Sequence, residues 1–227
     1  MRISTLLDRP VLLLGAGREG LATFRLLRTR GHTAPIQVLA DQPAQGLPDG
    51  LLSVDGADLD AVLTPATVVV RSPGFAPHHG LRRRLDAWGG RQTTATRLLL
   101  EELQAADIAT VGVTASKGKS TIATLTHELL LAAGRRAALV GNIGVPGLSR
   151  LDSILAERPI VVLELSSYQC ADLAPDEGPA LVVLGSLFPE HLDWHGTLHD
   201  YLAAKASLLS AAPAGACLMV HRVFEKL

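Results

Sequence analysis

Residues 112–121 read GVTASKGKST and finish on the Gly118-Lys119-Ser120-Thr121 of a phosphate-binding loop. In the common spacing four residues separate a first glycine from Gly-Lys. Here Val113 holds that first position and Gly112 stands one residue earlier. The strict motif fails. Yet the stretch lies between an apolar run and an amphipathic segment, where successive N–H groups and Lys119 can surround phosphates and Ser120 can reach Mg2+. A second glycine loop, GAGREG, places Gly15, Gly17 and Gly20 in a GxGxxG pattern, with Asp41 closing the next apolar run. Its physical content is a backbone that a pyrophosphate can approach and a helix N-terminus that favours its charge. Any nucleotide diphosphate satisfies that, and so does a tight turn that merely packs a helix on a sheet.

A metal-bound triphosphate also requires carboxylate. VVLELSSYQ puts Glu164 at the end of an apolar run, where an acid is costly unless it is paired or metal-bound. PEHLDWHG gathers Glu190, His191, Asp193 and His195 into one short segment, open to two readings, a metal site or a solvated loop. Lys205 in YLAAKASLL sits among alanines on an apolar helix, where the ordinary reading is a side chain that snorkels to water. Cys170 and Cys217 stand alone without metal-ligand spacing, as buried or neutral thiols in a reducing compartment do.

The elements that must position these groups alternate. VLLL, the glycine turn and a helix with Leu21, Phe24 and Leu27 at helical spacing lead to IQVLAD, then to VVVRSPG and a helical LRRRLDAWGG. A boundary is expected near Gly90 to Thr93, where a Thr-rich N-cap opens a helix. Beyond it, IATVGV, AALVGN, IVVLELSS and ALVVLGS read as buried strands, and Ile122, Leu125, Leu129 and Ala133 mark the inward face of the helix after GKST. Strand-helix alternation implies an α/β fold with mainly parallel sheets and right-handed crossovers.

Length and composition bound the rest. A chain of 227 residues makes one large or two modest domains. With 48% hydrophobic and 19% charged residues and a net charge of −1, it has no polybasic face, so nucleic acid and anionic membrane are not favoured partners. The N-terminal apolar run is too short for a signal peptide, and no run approaches the ~20 apolar residues of a bilayer span. A cytoplasmic protein is expected.

Taken in order, the glycine turn, SPG, GxTxxxGKST, GNIGVP, ELSSYQ, HLDWHG and YLAAKASLL resemble the Mur ligase family over residues 10–220, most closely its members that add glutamate to UDP-N-acetylmuramoyl-L-alanine in peptidoglycan precursor synthesis. The resemblance implies a Rossmann-like UDP-substrate domain, residues 1–92, and a P-loop central domain, residues 93–227. In the first, Gly15, Gly17, Arg18, Glu19, Gly20, Asp41, Ser72 and Gly74 would hold the UDP part. In the second, Gly112, Thr114, Ala115, Ser116, Lys117, Gly118, Lys119, Ser120 and Thr121 would bind ATP, with Lys119 on the β- and γ-phosphates. Ser120 and Glu164 would take a first Mg2+, and His191 a second. Lys205 would become a carbamate directed at that second metal. Asn142 and Ser166 would contact the UDP-sugar. The implied chemistry runs through an acyl phosphate, and a monomer is expected.

Members adding D-glutamate carry asparagine where this chain has Lys117, and an Asn-x-Thr-x-Asp segment before the histidine. LFPEHLDWH instead puts Phe188, Pro189, Glu190 and Trp194 around His191, which resembles the variant that adds L-glutamate. Ala115 stands where glycine is usual and Ser186 where asparagine is. A Cβ at Ala115 is expected to strain the loop or crowd the nucleotide. Family members continue beyond HRVFEKL into a third domain, so a truncated chain with little turnover of its own is expected. Two other functions remain open at this point: a non-catalytic UDP-sugar-binding module, and an NAD-dependent oxidoreductase resting on GAGREG and Asp41.

Overall fold

The computed structural model describes residues 1–40 and 46–220. They form two compact units, Met1–Leu98 and a second starting at Leu99.

In the first unit the apolar run Val11–Leu14 is strand β1, buried along its whole length. The glycine turn follows, then helix α1 (Arg18–Thr29) and β2 (Ile36–Leu39). A short β3 (Leu52–Ser53), helix α2 (Leu59–Val62), β4 (Val68–Arg71), helix α3 (Gly80–Trp88) and β5 (Arg91–Thr94) complete the sheet. Its order is β3-β2-β1-β4-β5, with every pairing parallel. Leu12 and Leu14 of β1, Leu39, Val69, Phe75 and Leu85 make one core cluster. Arg91–Thr94 forms a strand beside β4, and its last residue supplies the expected N-cap: Thr94 Oγ1 accepts from Arg97 N at 3.2 Å in the first turn of helix α4 (Ala95–Ala105). A polar RQTT can be a strand because hydrogen bonding to β4 supplies what local hydrophobicity does not.

The second unit contains β6 (Thr110–Thr114), helix α5 (Lys119–Ala132), β7 (Ala137–Gly141), helix α6 (Leu151–Glu157) and β8 (Ile160–Glu164). Helix α7 (Ser167–Cys170), β9 (Leu181–Leu184), helix α8 (Leu192–His195), helix α9 (Leu198–Ala211) and β10 (Cys217–Val220) follow. The sheet is again all parallel, in the order β10-β9-β6-β8-β7. Val111, Val113, Ala123 and Val162 form its core, with Ile122 and Leu130 packed against them. The inward face of α5 therefore differs from the expected one: Leu125 and Leu129 are exposed, and the small Ala123 lies against the sheet. Among the described residues no helix is long and apolar enough to cross a membrane.

Candidate active site

Parallel strands deliver their carboxyl ends to one edge, where loops collect. In the second unit Val113 of β6 is in register with Glu164 of β8, which is also in register with Gly141 of β7. Thr114 is in register with Leu184 of β9. The phosphate-loop sequence, the acid, GNIG and the LFPEHLDWH segment thus issue from neighbouring strands.

Glu164 is buried. Asn142 Nδ2 donates to its Oε1 at 2.7 Å, while Oε2 is buried without a hydrogen-bond partner. A buried carboxylate oxygen left open costs free energy unless something cationic occupies its direction. Ser120 and Thr121 are exposed in the first turn of α5, whose N-cap, Gly118, has φ of 79°. That conformation suits glycine, and it turns the loop into the helix N-terminus. Lys119 Nζ folds back to donate to the carbonyls of Ala115 and Ser116, both at 3.0 Å.

Gly112 does not join this loop. It is buried within β6, and a Cβ there would lie 2.4 Å from Cγ of Pro179, so packing is what requires a glycine at that position. The strain expected at Ala115 is also corrected. Ala115 is buried and is not among the residues with positive φ. Its methyl fits because Gly185 faces it: a Cβ on Gly185 would lie 2.8 Å from that of Ala115.

Two loops are laced together at this edge. Gly185 N donates to Thr114 O at 2.9 Å and Ser116 N to Ser186 O at 2.7 Å. Ser116 Oγ accepts from Phe188 N at 2.8 Å, donates to Phe188 O at 2.9 Å and meets the Tyr201 hydroxyl. Lys117 Nζ lies 2.5 Å from Glu190 Oε1, and this hydrogen bond and charge hold the Glu190 carboxyl below the usual range. His191, the next residue, has φ of 53° at the start of α8 and is exposed.

Lys205 is buried rather than snorkelling. Its Nζ donates to Thr114 Oγ1 at 3.2 Å and to Ala115 O at 2.8 Å. Burial brings its pKa down to about 8, with the charge of Lys119 acting in the same direction and Cys170, Glu190 and Glu164 opposing it. Cys170 is buried beside it, its thiol raised by burial to about 11, while Cys217 is exposed.

Other residues of the quoted motifs brace the site. Tyr201 anchors Ser116, and Tyr168 stacks on Trp194 with a centroid distance of 4.6 Å and lies 5.1 Å from the His191 ring. Buried His195 meets Ser167 Oγ at 2.9 Å through Nε2, and burial, then the charges of His191 and Lys205, lower its pKa to about 4. Ser166 caps α7 in a reciprocal pair with Gln169.

In the first unit Gly15, Gly17, Arg18, Glu19 and Gly20 form the turn from β1 into α1, with Gly17 as its N-cap. A Cβ on Gly20 would sit 2.4 Å from Gly15 O, so helix and turn approach closely there. Ser72 N donates to Leu14 O at 2.8 Å, placing Ser72 and exposed Gly74 beside the same turn. Asp41 lies outside the described residues. A hollow of about 430 Å³ opens at the end of β2, lined by Leu39, Ala40, Ser53, Val54 and Leu81; no motif marked it.

Comparison with known proteins finds relatives in sequence and in fold. Residues 113–223 match the Mur ligase middle domain. The chain is 40% identical over 221 residues to a UDP-N-acetylmuramoyl-L-alanine--L-glutamate ligase of Xanthomonas euvesicatoria pv. vesicatoria (strain 85-10), covering 92% of this chain and 46% of that protein. It is 41% identical to the protein of the same name from Micromonospora sp. (strain ATCC 39149 / NRRL 15099 / SCC 1413), covering 94% and 46%. The chain therefore spans about half the length of the curated relatives it matches. Among solved structures, the UDP-N-acetylmuramate:L-alanyl-gamma-D-glutamyl-meso-diaminopimelate ligase from Neisseria meningitides has the same fold, with a TM-score of 0.57 and 17% identity over 95% of this chain and 72% of that one. The murein peptide ligase of Psychrobacter arcticus 273-4 is similar, with a TM-score of 0.53 and 19% identity over 93% of this chain and 48% of that one. On the middle-domain match and these sequence relatives together, the chain belongs to the Mur ligase family.

Proposed function

We propose that the chain is the nucleotide- and UDP-substrate-binding part of an ATP-dependent ligase that joins glutamate, in the L form, to UDP-N-acetylmuramoyl-L-alanine during peptidoglycan precursor synthesis. The observation that carries this reading is Glu164, buried, held through one oxygen by Asn142 and open at the other, on the strand in register with the end of β6 from which GKST departs. The choice of L-glutamate rests on Lys117 and the segment before His191, and on relatives whose names carry L-glutamate.

The residues fit Mg2+. Magnesium in phosphoryl-transfer sites uses one or two carboxylates and fills its remaining positions with phosphate oxygens and water. Glu164 Oε2 and the Ser120 hydroxyl would hold a first ion, and His191 with a carbamylated Lys205 a second. Bound there, Mg2+ would offset charge between the anionic substrate and the triphosphate.

The protein's own part follows from charge. Lys119 leaves its loop carbonyls for the β- and γ-phosphates, and the N–H groups at the start of α5 face the same oxygens. A substrate carboxylate oxygen then attacks the γ-phosphorus, the bond to the bridging oxygen breaks, and ADP leaves. The amine of glutamate attacks the acyl phosphate, phosphate departs with the bonding pair, and the amine proton passes to solvent or base. Lys205 requires its neutral amine to take up CO2, and burial supplies it by lowering the pKa to about 8. In the first unit the β1–α1 turn with Ser72 and Gly74 would receive the pyrophosphate, and the hollow at the end of β2 the uridine.

The non-catalytic alternative drew in part on Ala115, and the fit of that methyl against Gly185 takes away the part that rested on loop strain. The test is a ligation assay on a polypeptide of the relatives' full length, with L- and D-glutamate compared. ADP is expected only with both UDP-N-acetylmuramoyl-L-alanine and L-glutamate present; ADP release independent of either would sink the reading.

A further inference from the structure

We propose that Glu190 is a positioning residue for the nucleotide: through Lys117 it holds the phosphate-binding loop and the segment ending in His191 in a single arrangement. The proposal rests on the nucleotide-binding reading above.

The contact is direct, with Lys117 Nζ 2.5 Å from Glu190 Oε1. The lysine side chain is 75% exposed and the carboxylate 20%, so the lysine reaches over a largely covered acid. Beneath this pair the backbones are already joined, by Ser116 N to Ser186 O and by the two bonds between Ser116 and Phe188. Those bonds end at Phe188. Pro189 has no N–H to donate. Among the described residues the Lys117 ion pair is the side-chain tie between Glu190 and the loop, next to a histidine whose backbone is already in the left-handed region.

The loop's two lysines consequently divide the work. Lys119 lies on its own loop's carbonyls, from which phosphate oxygens can draw it, whereas Lys117 is committed across to Glu190. Lys117 and the Phe188-Pro189-Glu190 segment read in the sequence as two separate departures. In the structure they are two halves of one contact.

Calorimetric titration of Mg-ADP into this chain tests the pair. Lys117→Met and Glu190→Gln are each expected to weaken binding by about two- to fivefold, the range of partly exposed ion pairs. The double variant should be no weaker than the poorer single one, and exchanging the two charges (Lys117→Glu with Glu190→Lys) should recover part of the loss. If Lys117→Met weakens binding while Glu190→Gln leaves it unchanged or tightens it, the lysine is a direct phosphate ligand and the pair is not the device. Additive losses, or no loss in either variant, overturn the proposal equally. Absence of Mg-ADP binding by the unaltered chain is a different result, which overturns the nucleotide reading itself.

Discussion

Asn142 holds Glu164 by one carboxylate oxygen, 2.7 Å from its amide nitrogen, and leaves the other buried and open. The amide orients the acid without neutralising it, as a ligand awaiting a cation needs. Glu164→Gln should therefore lower Mg-ADP affinity by about tenfold or more, while leaving the small affinity for ADP in EDTA unchanged. Thermal stability should hold or rise, because a buried charge is removed. Calorimetry with and without Mg2+ decides it; an unchanged magnesium dependence would remove Glu164 from the metal site.

Ala115 and Gly185 should behave as one packing unit. Gly185→Ala forces two methyls to 2.8 Å and crowds Ile122 Cδ1 at 3.2 Å, an overpacking expected to destabilise by about 1–3 kcal/mol. Ala115→Gly in the same chain should recover most of that loss. Urea unfolding of the two single variants and the double gives the coupling, and additive losses would show that the methyl contact is not the cause.

Lys205 makes stability depend on alkaline pH. Its ordinary value is 10.5 and burial lowers it to about 8, so between these the unfolded chain holds a proton the folded chain has released, and stability rises with pH. Below pH 8 the full cost of burying the cation, about 3 kcal/mol, is present. Cys170 acts oppositely: its thiol moves from 9.0 to about 11, so its contribution falls across that interval. Urea midpoints measured in a Cys170→Ala background should rise from pH 8 to 10, and the rise should vanish on adding Lys205→Met. Labelled bicarbonate should give a carbamate carbon signal at pH 8.5 that Lys205→Met abolishes.

His195 sets a dependence on the acid side. The unfolded imidazole takes its proton near 6.5, the folded one only near 4, so stability should fall as pH drops through that interval. His195→Gln, which can keep a hydrogen bond to Ser167, should flatten that part of the profile in the same unfolding measurement.

Much of the architecture was legible because it is local. VLLL, IVVLELSS and ALVVLGS are apolar runs of strand length, and burial along a parallel sheet has that signature. RQTT was not legible, since its strand character comes from β4 beside it. The inward face of α5 was misread because exposed Leu125 and Leu129 follow helical spacing as well as buried residues do. Spacing reports a period and not which way it points.

The sequence by itself determined the chemistry available: a lysine and serine at a helix start, an acid closing an apolar strand, a histidine and a second lysine further on. Only the tertiary structure decided how these groups meet. The order β10-β9-β6-β8-β7 puts Glu164 in register with Val113 and Gly141, although the three are far apart in sequence. Packing of α9 buries Lys205 against Thr114, turning a residue that spacing alone would leave in water into one with a lowered pKa. Gly185 makes room for Ala115, and Glu190 answers Lys117. Each of these relations joins residues distant along the chain, so its energy depends on a contact that no local pattern of residue types encodes.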